Sequence, residues 1–151
     1  MDKIAGAKAI TTEQTRWLDL GMEFIPANKH LWCAGGCAKT PLEIYLECAG
    51  TYRFLAQFLQ GKQTEWSESH PKAEDYPDYA AAKALMTQCQ QELFSELDRL
   101  GNADWEKKMT LPWGDEMNLG ELIYLPAFHT GYHVGQLNYI QTLLGDKEFH
   151  F

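Results

Sequence analysis

An all-α helical bundle is the fold class this sequence predicts, and three observations predict it. Four stretches place apolar residues at the three-and-four spacing of amphipathic helices and account for most of the 151 residues. Gly and Pro signals fall between them, and no internal repeat or low-complexity tract interrupts the order. A hydrophobic content of 45% over this length fills one core but hardly two, so residues 1–151 are expected to form one domain.

The first helix is expected to open at Thr11 or Thr12, with Thr11 and Gln14 as a capping box, and to stop before Pro26. Trp17, Leu18, Phe24 and Ile25 give it an inner side. The second starts at Thr40, with Pro41 at the first helical position and Glu43 at the third, and runs to about Gln60 before Gly61. Tyr45, Ala49, Tyr52, Ala56 and Leu59 form one apolar stripe, while Phe54 and Phe58 lie on nearly the opposite side, so this helix is expected to be packed all round. A polar connection from Lys62 to about Asp75 leads to the third helix, which begins near Pro77, turns Tyr79, Ala82, Met86, Leu93, Leu97 and Leu100 inward, and ends at Gly101. Between the third and fourth helices, Met109 to Leu111 followed by Pro112-Trp113-Gly114-Asp115 suggests a short hairpin. The fourth helix is expected from about Asn118, capped by Glu121, to Leu144, with a kink at Pro126.

A net charge of -8 leaves no basic stripe to neutralise phosphates or to settle on anionic lipid, so neither nucleic acid nor membrane is an expected partner. No long apolar run and no signal-like leader is present, and Cys33, Cys37, Cys48 and Cys89 are too few for a disulfide framework. A cytoplasmic protein is the expectation.

The chemistry concentrates in His129-Thr130-Gly131-Tyr132-His133. Two imidazoles four residues apart share one helical face. At about 100° per residue, Leu122, Leu125, His129, His133, Gln136, Ile140 and Leu143 form one stripe, so both rings project where the helix is otherwise apolar. Buried polar groups need partners. Either the pair grips one metal ion, or the rings are separately satisfied core histidines.

A third ligand is sought on a neighbouring buried helix, and Glu47 is the best candidate. It shares a stripe with Thr51, Phe54 and Phe58, and a carboxylate beside aromatic residues needs a cation or a proton. Arg53 and Lys39 are the ordinary alternatives for that partner. Gln136, one turn beyond His133, is placed to support a ligand from behind or to satisfy a carbonyl. Tyr132 and Tyr139 flank the His stripe and Phe128 lies further round; they are placed to line a pocket above the metal or to pack in the core, the commoner use of such residues, with Tyr132 taken beside Gln136 as a second-shell or pocket candidate.

The run His129 to Asp146, with its H-x-x-x-H pair and Gly135-Gln136, together with Pro41 to Ala49, resembles the last and second helices of the DinB/YfiT-like superfamily. These are small bacterial four-helix proteins described as metal-dependent hydrolases, and the similarity covers most of the chain. The resemblance implies a divalent metal such as zinc or nickel, held in the family by one histidine of the second helix and two of the last. This chain departs from that pattern, because Glu47 stands at the second-helix position. Two His and one carboxylate suit zinc, nickel, manganese or iron. Cys48 is the alternative ligand, but it lies about 100° round the helix and reads better as a small core residue.

Three functions follow: metal-assisted hydrolysis of a small-molecule substrate; transfer or isomerisation using a low-molecular-weight thiol, as some relatives do; or a binding module in which Glu47 and the histidines form a metal-free polar cluster. Elsewhere, His30, Cys33 and Cys37 form a loose set that offers a weak structural-zinc reading. Gly131, Gly135, Asn138 and Thr142 form a stripe of small or polar residues that suits a close helix, of the same bundle or of a second subunit in a homodimer. His70 and His150 are expected to be solvated and without a role. If the histidines are ligands, only their neutral form coordinates, so metal affinity measured by chelator competition falls on acidification through the ordinary histidine range, about pH 8 to 5. A pH-independent affinity across that range contradicts the ligand assignment.

Overall fold

The structure is a computed structural model that describes residues 2–63, 65–148 and 150. It is predominantly α-helical with one short hairpin: α1 (Lys3–Glu23), α2 (Pro41–Leu59), α3 (Tyr79–Leu100), β1 (Lys108–Thr110), β2 (Glu116–Asn118), α4 (Leu119–Leu122) and α5 (Leu125–Leu143). Short 3₁₀ turns at Ala27–Lys29, Trp66–Ser69 and Ala73–Asp75 shape the connections.

The N-terminus of α1 differs from the expectation at Thr11. The helix starts two turns earlier, where the Asp2 side chain accepts from Ile4 N at 2.9 Å. The physical reason is the continuous stripe Ala7, Thr11, Thr15, Leu18 and Met22, all buried, which makes Thr11 an interior position rather than a cap. Phe24 also departs from its expected inward place: it is exposed and stacks on His150 with centroids 3.5 Å apart.

α2 forms as its caps dictate. The Thr40 hydroxyl accepts from Glu43 N, the Glu43 carboxylate accepts from Thr40 N at 2.7 Å, and Pro41 opens the helix. Gly61 ends it at φ +75°, a conformation that favours glycine. Along α2 only Glu43 is fully exposed, so the all-round packing expected from its two apolar sides is realised. α3 is capped by Asp78, which accepts from Ala81 N at 2.9 Å, and buries Ala82, Met86, Leu93 and Leu97.

The hairpin pairs Met109 with Met117, its turn closed by Leu111 N donating to Asp115 O at 2.8 Å. The single kinked fourth helix expected from Asn118 to Leu144 is instead two helices. α4 is one turn, with Glu121 accepting from Asn118 N at 3.2 Å, and α5 begins afresh around Pro126. Proline lacks an N–H, and in the first turn of a new helix that donor is not needed.

Helix α5 packs between α1 and α2, and α2 packs chiefly on α3. The Tyr52 hydroxyl ties three helices together: it lies 2.9 Å from Thr15 Oγ1 of α1 and 3.0 Å from Thr130 Oγ1 of α5. Gln141 Nε2 adds a bond to Gly21 O at 2.8 Å. The most deeply buried side of α5 runs through Ala127, Thr130, Val134 and Leu137, which leaves His129 and His133 at its edge facing α2 and exposes Leu143. Of the small-residue stripe, Gly131 meets Gln14 of α1, whereas Gly135 faces open space. Among the described residues, no helix is long and apolar enough to cross a membrane.

Gly50 of α2 is where the 66–70 segment rests. A Cβ there would stand 2.8 Å from His70 Cδ2, 2.9 Å from His70 Cα and 3.0 Å from Ser69 O, so backbone has to move. Gly50→Ala is expected to lower stability by about 1–3 kcal/mol in chemical denaturation, as overpacking does; unchanged stability would show that the segment is not seated there.

Candidate metal centre

α2 and α5 meet where Glu47 faces His129 and His133. The two Nε2 atoms are 3.3 Å apart, and Glu47 Oε1 lies 3.7 Å from each. The His133 side chain is 3% exposed, while His129 and Glu47 keep 16% and 17%, so the cluster opens to solvent on the Glu47 side.

The outer nitrogens fix the tautomers. His133 Nδ1 is 2.6 Å from Gln136 Oε1, an atom that only accepts, so Nδ1 carries the hydrogen; Gln136 Nε2 in turn donates to the Tyr132 hydroxyl at 3.1 Å. The Thr51 hydroxyl donates to Glu47 O at 3.0 Å and therefore accepts from His129 Nδ1 at 3.1 Å. With both Nδ1 hydrogens committed, neutral rings turn two Nε2 lone pairs toward each other and toward a carboxylate oxygen. Only a cation between them, a proton or a metal ion, relieves that confrontation. In a tetrahedral shell with bonds of about 2.0–2.1 Å, neighbouring nitrogens stand about 3.3–3.4 Å apart, so the spacing fits a divalent ion.

Burial by itself raises the Glu47 carboxyl, but hydrogen bonds from His129 and His133, given when Nε2 carries a proton, and from Lys39 outweigh it and hold the group well below the usual carboxylate range. The Lys39 ammonium contacts Glu47 Oε2, leaving Oε1 for the imidazoles. Of the two ordinary partners considered for Glu47, Lys39 is the one that reaches it.

A second potential third ligand flanks the pair. The Cys48 sulfur and one nitrogen of each imidazole all lie within 4.8 Å of one another. Cys48 is fully buried, and burial pushes its thiol well above the ordinary range, with the charge of Glu47 adding to the effect. The weak zinc reading of His30, Cys33 and Cys37 is not realised: His30 Nε2 turns to Ile25 O at 3.1 Å, and among the described residues these three do not gather their ligand atoms as Cys48, His129 and His133 do.

Of the two places open to Tyr132 and Tyr139, core or pocket, the structure gives the pocket: they are 66% and 65% exposed and line a cleft of about 730 Å³ beside the cluster, with Phe128 exposed outside it. The physical reason is the rotation of α5, whose buried side is centred on Thr130 and Val134. A second cleft of about 510 Å³ opens on the other side of Glu47, bounded by Lys39, Trp66 and His70. His70 was read as a solvated loop residue. It is half-buried on Gly50, with Nδ1 donating to Trp66 O at 2.5 Å, Nε2 enclosed with no hydrogen-bond partner among the described residues, and its pKa lowered by burial. Trp66 also sets its ring edge-on to His129, centroids 5.6 Å apart. The signal for this wall was Gly50, a helix-interior glycine that admits close backbone. His150 is also not merely solvated, bonding Asp146 at 2.8 Å besides stacking on Phe24.

A helical bundle with a His-pair cluster between its second and last long helices defines a class of small candidate metal-binding protein. Residues 9–137 match the profile of the DinB superfamily, and the chain belongs to that superfamily. Neither the curated proteins nor the solved structures contain a significant match to it.

The thiols separate by environment: Cys33 and Cys37 are exposed, while Cys48 and Cys89 are buried with raised pKa. A soluble thiol reagent is expected to modify Cys33 and Cys37 rapidly in the native protein and Cys48 and Cys89 only after unfolding, read by peptide mass spectrometry. Rapid native labelling of Cys48 contradicts the interior placement of its sulfur.

Proposed function

We propose that Glu47, His129 and His133 hold one divalent metal ion and that the protein is a metal-dependent hydrolase of small molecules. The observation that carries this reading is the convergence of two imidazole Nε2 lone pairs, 3.3 Å apart, with Glu47 Oε1 at 3.7 Å from both. Glu47 is preferred to Cys48 as third ligand because it is already ionised and partly open to the cleft, whereas the cysteine is a fully enclosed thiol. Two nitrogens and one oxygen at this spacing favour zinc or nickel, with manganese or iron(II) as alternatives.

When bound, such an ion supplies Lewis acidity, which polarises a carbonyl and favours ionised water. The chain supplies the rest. Thr51 and Gln136 hold the two rings with Nε2 toward the ion, and Tyr132 steadies Gln136. Lys39 fixes the orientation of the Glu47 carboxylate. The cleft, walled by Ile44, Tyr139 and Ile140, gives an apolar substrate body a place beside the cluster.

The Lys39 contact favours a second reading, a metal-free polar cluster in a binding module, since an ammonium already balances part of the carboxylate charge. Elemental analysis of purified untagged protein beside folded Glu47→Ala and His133→Ala variants separates the two. About one equivalent of metal in the parent, lost in both variants, is expected for the metal site. No metal after incubation with zinc, nickel, manganese or iron(II) supports the polar cluster. With metal established, release of product from ester or amide substrates supports hydrolysis, whereas metal-dependent consumption of a low-molecular-weight thiol with an electrophile moves the assignment to thiol transfer.

A further inference from the structure

We propose that Cys33 and Cys37 are a thiol-modification site: the pair exchanges with low-molecular-weight disulfides, Cys37 taking the first mixed disulfide and Cys33 resolving it into a Cys33–Cys37 bridge. Both side chains are exposed, on the loop between the 3₁₀ turn at Ala27–Lys29 and α2. The loop doubles back between them. Gly35 and Gly36 take φ +113° and +60°, a region that favours glycine, and Ala38 N donates to Gly35 O at 3.2 Å across the reversal. Cys33 Sγ therefore lies against the far limb, donating to Ala38 O at 3.2 Å, one residue beyond Cys37. Two thiols on opposite limbs of one tight turn find each other far more often than either finds a molecule from solution. A Cβ at Gly35 or Gly36 would meet nothing within 4 Å, so no packing against these glycines opposes the adjustment that joins the two sulfurs.

The two thiols are not equivalent. Cys33 Sγ also accepts from Gly35 N at 3.3 Å and is held from both sides, whereas Cys37 makes no side-chain hydrogen bond among the described residues. Cys37 further lines the cleft beside the His pair, together with Ala34 and Ala38, so a small molecule entering that cleft meets its sulfur first. The chemistry follows in that order. The Cys37 thiol gives its proton to solvent, and the thiolate attacks one sulfur of a disulfide RSSR; the reagent's S–S bond breaks, and RS⁻ leaves and takes up a proton. Cys33, deprotonated in turn, attacks Cys37 Sγ and expels the second RS⁻. Two protein thiols are oxidised to one disulfide while one RSSR is reduced to two RSH, so no further oxidant is required, and excess RSH runs the exchange backwards. Exposed disulfides of this kind are the readily reduced ones. Lys39, two residues beyond Cys37, contacts Glu47, so the bridge constrains the segment that carries one wall of the cleft and the partner of its carboxylate. The proposal stands on the loop and does not depend on a bound metal.

Glutathione disulfide is the probe. The full chain, reduced and freed of reductant, is incubated with it, and the products are read by intact mass and by tryptic peptides; cleavage after Lys29 and Lys39 puts both cysteines in the 30–39 peptide. The parent is expected to yield that peptide two hydrogens lighter and unreactive to an alkylating reagent, with little glutathione retained, and dithiothreitol restores it. Cys33→Ser is expected to stop at one glutathione on Cys37, and Cys37→Ser to take up glutathione several-fold more slowly, both with helical circular dichroism unchanged. A parent that accumulates glutathione on Cys33 or Cys37 without the lighter peptide overturns the proposal, as does a bridge to Cys48, to Cys89 or between two chains. Equal rates of uptake in the two variants overturn it too, because Cys37 is then not the entry point.

Discussion

The site exists because α2 is buried on almost every side. Ile44, Tyr45, Leu46, Cys48 and Ala49 are all at most 2% exposed, and Glu47 is the one carboxylate inserted among them. A helix so enclosed cannot rotate to return that group to water without exposing its aromatic residues, since Tyr45, Tyr52 and Phe54 point to different neighbours. The hydroxyl of Tyr52, bridging Thr15 and Thr130, sets the register of α2 against α1 and α5. That register puts Glu47 opposite His129 and His133 rather than a turn away.

The electrostatics of the cluster follow from this placement. An ionised carboxylate half removed from water is costly unless cations approach it, and only one of its oxygens has a cation beside it. Oε2 receives the Lys39 ammonium; Oε1 faces two nitrogens whose hydrogens point away, toward Thr51 and Gln136. The orienting partners thus do as much as the three groups they face, because they determine that lone pairs rather than N–H groups meet at the centre. Lys39 neutralises the far oxygen and leaves the near one available, so its contact is compatible with either a metal or a proton at the centre.

Much of this was legible in the sequence because the signals were local. Thr40, Pro41 and Glu43 announce α2, Gly101 ends α3, and the four-residue spacing of the histidines forces them onto one face. The departures concern which way a helix turns, where it starts and what a loop meets. The last helix carries apolar residues on several sides, so sequence alone placed the His stripe at the centre of its buried face, whereas packing against α1 centres burial on Thr130 and exposes Tyr132 and Tyr139. The start of α1 was hidden because its first turns are Ala- and Gly-rich and carry only a weak apolar signal. His70 was invisible for another reason, since its position depends on a loop folding onto Gly50, a contact with no period to read.

The proposed metal site turns on which three groups would surround a bound ion, and X-ray absorption at the zinc edge of the zinc-loaded protein tests it most directly. The account predicts a shell of nitrogen and oxygen scatterers at about 2.0–2.1 Å with imidazole outer-shell features and no sulfur. A sulfur scatterer at about 2.3 Å would place Cys48 in the shell and contradict the assignment of Glu47 as third ligand.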